Sequence, residues 1–243
     1  MRIFNFALVV CLLAASQGFA QEMHSDIEFG YEGGFIEFES DGSGIDSAGV
    51  FEADFELEGG VLEAENPGFA SNFIEDDGMG NVEEFMVTSG DNIFLNANAS
   101  ATFGTFLTYY NPATGSFEST SATITIEDNS PTLTGDLVIS ENDAIGDASQ
   151  FLITSTGAEI DTHVDFILSN GAATGAYGLL LNLESDSTAL TSNTSENFWI
   201  VFNNGLGEEA YESAVDRFTA VPEPSAVSIL LVSSLALLRR NRK

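Results

Sequence analysis

Cysteine is nearly missing from this chain of 243 residues: its one copy, Cys11, falls in an apolar stretch near the N-terminus. The rest of the chain therefore has no disulfide framework, thiol nucleophile or cysteine-ligated metal centre open to it. Basic residues are almost as scarce, with Lys+Arg 6 against Asp+Glu 38 and a formal net charge of -32. Nucleic acid is excluded as a direct partner, because binding it requires Lys or Arg to neutralise phosphates. Arg2, Arg239, Arg240, Arg242 and Lys243 all sit at the chain ends, which leaves Arg217 as the one basic residue of an otherwise polyanionic body. Proline, at 5, is too sparse for a mucin-like or polyproline stalk. The chain has no Gly-x-Ser-x-Gly, His-Glu-x-x-His or Lys-bearing phosphate loop. Carboxylate pairs are everywhere and none is singled out by spacing, so no enzymatic activity is expected.

What is present suffices for one folded unit. Residues are 44% hydrophobic and 11% aromatic, enough to build a real core. The two ends read as addresses. Arg2, an apolar run over 3–15 and the small residues Gly18 and Ala20 make a signal peptide over 1–20, cut after Ala20. That run is short of the roughly 20 residues a membrane span needs. Val10 before Cys11 also argues against a lipoprotein.

At the other end, Val221-Pro222-Glu223-Pro224-Ser225 leads into an apolar run over 226–238 and then Arg239-Arg240-Asn241-Arg242-Lys243. As a helix the run is about 20 Å long against a hydrocarbon core of about 30 Å, a short transmembrane anchor. Its basic tail stays cytoplasmic by the positive-inside rule, leaving the acidic body outside. Over 221–243 these three parts, in this order, resemble the PEP-CTERM sorting signal, with Pro222, Glu223, Pro224, Arg239 and Arg240 as its motif residues. The resemblance implies a route: export by the secretion machinery, transient anchoring in the inner membrane, and processing by an exosortase. Delivery to the cell surface or extracellular polysaccharide matrix of a Gram-negative bacterium follows from the same resemblance. It implies nothing about what the body binds.

The body, 21–220, is dominated by period-two alternation. Phe51-Glu52-Ala53-Asp54-Phe55-Glu56-Leu57-Glu58 places every carboxylate on one face and every apolar side chain on the other, as a half-buried antiparallel strand does. Further strands are expected over 26–31, 35–39, 82–87, 92–96, 102–109, 121–127, 132–139, 151–154, 163–169, 176–184 and 198–202. Gly, Asn, Asp and Ser supply the turns between them. The expected fold is all-β, an antiparallel β-sandwich or jelly-roll-like body. One helix is expected over 208–218, with Ala210, Tyr211, Ala214, Val215 and Phe218 in one stripe. Glu208 and Glu209 in its first turn and Arg217 in its last suit the helix dipole.

His24 and His163, the only histidines, each begin a His-x-Asp pattern, with Asp26 and Asp165. On a strand, residues i and i+2 share a face, so each histidine is expected beside its own aspartate. Pairing of the two strands would bring His24, Asp26, His163 and Asp165 together as ligands for zinc or a similar divalent metal, with Glu22, Glu28 and Asp161 as further donors. Two acidic glycine-bearing loops, 41–46 and 76–84, suggest calcium more weakly, since neither has EF-hand spacing.

The body also resembles the Zur-repressed PEP-CTERM proteins. The similarity lies in His24-Ser25-Asp26-Ile27-Glu28-Phe29-Gly30-Tyr31, Asn66-Pro67-Gly68-Phe69-Ala70-Ser71-Asn72 and Phe198-Trp199-Ile200-Val201-Phe202-Asn203-Asn204-Gly205-Leu206. Three function classes therefore stand: a structural surface protein, a divalent-metal binder, and a glycan-binding module in which Trp199, Tyr109 and Tyr110 stack on sugars.

Overall fold

Alternating residues fold as strands along most of the described chain, which in the computed structural model comprises residues 26–38, 49–71, 73–76, 82–85, 87–88, 90–127, 136–145, 150–155 and 160–220. In chain order the strands begin with β1 (Ile27–Glu32), β2 (Phe35–Phe38), β3 (Val50–Asp54), β4 (Glu56–Glu58), β5 (Val61–Ala64) and β6 (Phe69–Ser71). Next come β7 (Phe73–Asp76), β8 (Val82–Phe85), β9 (Asn92–Asn98), β10 (Leu107–Asn111), β11 (Ser116–Glu118) and β12 (Thr123–Glu127). The last are β13 (Leu137–Ser140), β14 (Ala144–Ile145), β15 (Gln150–Ser155), β16 (Ile160–Thr162), β17 (Asp165–Leu168), β18 (Gly175–Ser185) and β19 (Phe198–Asn204), before helix α1 (Glu208–Thr219). The body is all-β with one helix.

The largest sheet is built on β18, whose nearly unbroken apolar run marks a strand covered on both faces. One edge of β18 pairs with β19 along Gly175–Leu181. Its other edge takes β10 along Ala176–Leu179 and then β9 along Leu180–Ser185. Strand β11 extends this seven-stranded sheet beyond β10, β15 beyond β9, and β3 beyond β19. A six-stranded sheet has the order β14-β13-β12-β17-β5-β4, and a four-stranded sheet the order β16-β6-β1-β2. Phenylalanines of β19 tie the three together. Phe202 packs on Phe166 of β17 at 4.9 Å between ring centres, and Phe198 meets Phe38 of β2 edge-on at 5.2 Å. Phe166, Phe198 and Phe202 are fully buried, and each stabilises the fold by about 1.5–3 kcal/mol.

Helix α1 covers the opposite face of the large sheet with Tyr211, Ala214, Val215 and Phe218, while Ala210 is exposed. The helix sits close because Gly178 of β18 has no side chain: a Cβ there would run into the Phe218 ring. Gly207 serves as N-cap without a side-chain bond, so the acids of the first turn act through the dipole alone.

Several expectations are corrected. The stretch 51–58 is two strands, not one. Strand β3 runs parallel to β19, the chain breaks at Phe55, and β4 continues in the six-stranded sheet against β5. Phe55 anchors that crossing by stacking on Phe202 at 4.9 Å and donating its N–H to the Asn203 carbonyl at 2.9 Å. Beyond it the alternation loses its meaning, and Leu57 is 71% exposed. Strands β1 and β6 are also parallel, so the four- and seven-stranded sheets are mixed, whereas the six-stranded sheet is antiparallel throughout. The strand expected from position 163 starts at Asp165, and that expected from 102 starts at Leu107. Strands β5, β6, β11 and β16 had no sequence signal, being three or four residues each.

The signal peptide and the sorting signal lie outside the described residues, as does His24. Among the described residues, no helix is long and apolar enough to cross a membrane.

Candidate metal centre

One end of the four-stranded sheet gathers a histidine and two aspartates. Strand β6 lies between β1, parallel to it, and β16, antiparallel to it, so the starts of β1 and β6 and the end of β16 meet at one edge. Asp26 stands just before β1, Asp161 lies within β16 and His163 follows it directly. The His163 Nε2 atom is 3.7 Å from Asp26 Oδ1 and 3.9 Å from Asp161 Oδ1. These separations are long for direct hydrogen bonds. They suit three donors around one ion, since ligands at about 2.1 Å from tetrahedral zinc lie about 3.4 Å apart.

The other ring nitrogen fixes the tautomer. His163 Nδ1 lies 2.9 Å from the Glu65 carbonyl oxygen, which only accepts, so Nδ1 carries the proton in the neutral ring. The Nε2 lone pair is thereby directed at the two carboxylates. A backbone carbonyl holding the far nitrogen is the usual support of a metal-bound imidazole, because it fixes ring orientation and raises basicity.

Asp26 is held from the same loop. Gly68 N–H donates to Asp26 Oδ1 at 3.2 Å, and Ile27 N–H donates to the Gly68 carbonyl at 2.8 Å. The loop leaves no room for a side chain at Gly68, where a Cβ would lie 2.6 Å from Asp26 Oδ1 and 2.7 Å from His163 Cε1. The site is open to solvent, with side-chain exposures of 44% for His163, 29% for Asp26 and 78% for Asp161.

Of the residues expected from sequence, Asp26 and His163 come together, and Asp161, read only as a further donor, joins them. Asp165 does not. His163 precedes β17 rather than lying in it, so the strand rule that would aim it with Asp165 does not apply. Asp165 instead faces Glu63 and Glu65, with one carboxylate oxygen from each of the three within 4.8 Å of the others. Glu28 belongs to neither group. Glu65 and Gly68 went unnoticed because they act through backbone atoms, which side-chain identity does not report.

The remaining candidates fall away from the surface. Trp199, Tyr109 and Tyr110 are 3%, 6% and 5% exposed, which leaves no stacking platform for sugars at these side chains. The loop 41–46, and 77–81 of the second acidic loop, lie outside the described residues. Comparison with protein-family models, curated proteins and solved structures finds no match to this chain.

Proposed function

We propose that this chain is an exported, non-catalytic surface protein, a β-sandwich that binds one divalent metal ion of the zinc class through Asp26, Asp161 and His163. One observation carries the metal reading: His163 is locked by Glu65 in the tautomer that offers Nε2 to two carboxylates. Three protein donors leave a fourth position for water or for His24, two residues before Asp26. The export route rests on the sequence of 1–20 and 221–243, with an exosortase and the secretion machinery as processing partners and the extracellular polysaccharide matrix or cell surface as destination.

Calorimetric titration of the purified full-length chain with zinc tests the metal site. One saturable site is expected, lost in His163→Ala and weakened at least tenfold in Asp26→Asn, the effect of removing one ligand from a set of three. Binding indifferent to His163 overturns the reading. The route is tested separately: Glu223→Ala is expected to leave the chain in the inner membrane, and normal release of that variant would count against sorting through this motif.

A further inference from the structure

We propose that Asn170, in the turn between β17 and β18, is a site of non-enzymatic covalent modification in the folded protein, where the side-chain amide becomes a carboxylate through a succinimide formed with Gly171. The chain has two Asn-Gly steps, Asn170-Gly171 and Asn204-Gly205. By sequence they are equivalent, since glycine lacks the Cβ that would hinder attack of its own backbone nitrogen on the preceding side chain. The folded structure separates them.

Asn170 and Gly171 are the central pair of a β-turn closed by the Ala172 N–H, which donates to the Ser169 carbonyl at 3.3 Å. Both are exposed, and Gly171 has a φ of +79°, as a type II turn asks of its third residue. Apart from its chain neighbours, nothing lies within 4 Å of the point where a Gly171 side chain would start, so the ring has room to close. Among the described residues no hydrogen bond holds the Asn170 amide or the Gly171 N–H. Asn204 is the reverse case. It is 8% exposed, its main chain pairs with Gly175 of β18, and its Nδ2 donates to the Ala173 carbonyl at 2.9 Å. Bringing the Asn204 Cγ onto the Gly205 nitrogen would break that bond and turn the end of β19 out of its ladder.

In the reaction the Gly171 nitrogen gives its proton to water or hydroxide and bonds to Asn170 Cγ. The Cγ–Nδ2 bond breaks and ammonia leaves, which closes the succinimide. Water then opens the ring at either carbonyl. Attack at Cγ leaves an aspartate with the main chain unchanged, and attack at the former main-chain carbonyl leaves an isoaspartate with the chain routed through Cβ and Cγ. An exposed turn tolerates that extra main-chain atom. The exchange consumes water, releases ammonia and adds a negative charge to a body that is already polyanionic.

The experiment incubates the purified full-length chain at neutral pH and physiological temperature, once folded and once in urea. Chymotryptic peptides are followed by mass spectrometry, with enzymatic detection of isoaspartate. In the folded chain, position 170 is expected to gain the mass difference between –NH2 and –OH, with isoaspartate formed beside aspartate, roughly tenfold or more faster than position 204. In urea both positions are expected to convert at similar rates, because the hydrogen bond and the ladder that hold Asn204 are gone. Asn170→Gln, exposed and without risk to the fold, is expected to lose the change at 170, since its longer side chain would have to close a less favourable ring. Absence of conversion at 170 in the folded chain, equal conversion at 204, or inertness of 204 even in urea overturns the proposal.

Discussion

The Tyr211 hydroxyl of helix α1 donates to the Val201 carbonyl of β19 at 2.6 Å, and it accepts the Ala53 N–H of β3 at 3.1 Å. Two residues on, Phe55 N–H bonds Asn203 directly, so the same register assigns Ala53 N–H to Val201. The β3–β19 register is unbroken at this point, so the helix side chain bonds backbone groups of a ladder that is already paired. Burial drives the Tyr211 phenol far above its ordinary range, keeping it a neutral donor.

Tyr211→Phe removes these buried hydrogen bonds to the backbone of β3 and β19. The expected loss is about 1–3 kcal/mol in urea-induced unfolding. A loss below about 0.5 kcal/mol would mean that the strand pairing by itself satisfies these backbone groups.

Gly178→Ala forces a methyl group into the Phe218 ring. Overpacking of this kind costs about 1–3 kcal/mol. Combined with Phe218→Ala, which vacates the space, the double variant is expected to be more stable than the two single losses predict. Strict additivity would show that the two residues do not press on each other.

Gly68→Ala drives its Cβ onto Asp26 and His163, so it is expected to weaken zinc binding tenfold or more. The melting temperature of the metal-free protein is expected to change by only a few degrees, because the site lies at the open edge of its sheet. Unaltered zinc affinity in this variant would separate the loop from the metal site.

Acidification is expected to stabilise the metal-free protein before it destabilises it. Burial first, then neighbouring carboxylates, raise the Glu37, Glu63 and Glu127 carboxyls above their ordinary 4.5. The folded state then holds protons that the unfolded chain has released, so stability falls as pH rises through the window above 4.5. Asp186 and Glu118 act oppositely: hydrogen bonds to Asn92, and to Thr114 and Asn111, hold them below their ordinary values, and their contribution is lost in stronger acid. Thermal melts in EDTA are expected to rise from neutral pH to about pH 5 and then to fall. A steady decline from neutrality would contradict the raised values.

Salt is expected to stabilise the body as well. A net charge of -32 repels itself, and the Debye length contracts to about 10 Å at 0.1 M ionic strength. An unchanged melting temperature between low and high NaCl would show that the charges are already compensated.

Much of this fold was written in local pattern. Alternation located β1, β2, β9 and β12, apolar runs located β18 and β19, and the stripe of Tyr211, Ala214, Val215 and Phe218 located α1 to within a residue at its end. These signals survive because they depend on which side of one element meets the core. Pairing partners left no such mark. The alternation of 51–58 is the same in a strand that stays in one sheet and in one that changes sheets at Phe55, so only packing on Phe202 decided between them.

The candidate site divides in the same way. The sequence by itself determined the acidity, the two histidines as the only nitrogen ligands, and Asp26 and His163 as candidates. Tertiary structure decided that Asp161 rather than Asp165 accompanies His163. It did so because β16 ends at Thr162 and the chain turns before β17, cancelling the period-two rule between positions 163 and 165. It also supplied the Glu65 carbonyl that orients the ring, a backbone atom 98 positions away in the chain. Side-chain chemistry is local and can be read residue by residue, whereas the convergence of distant backbone exists only once the sheets have closed.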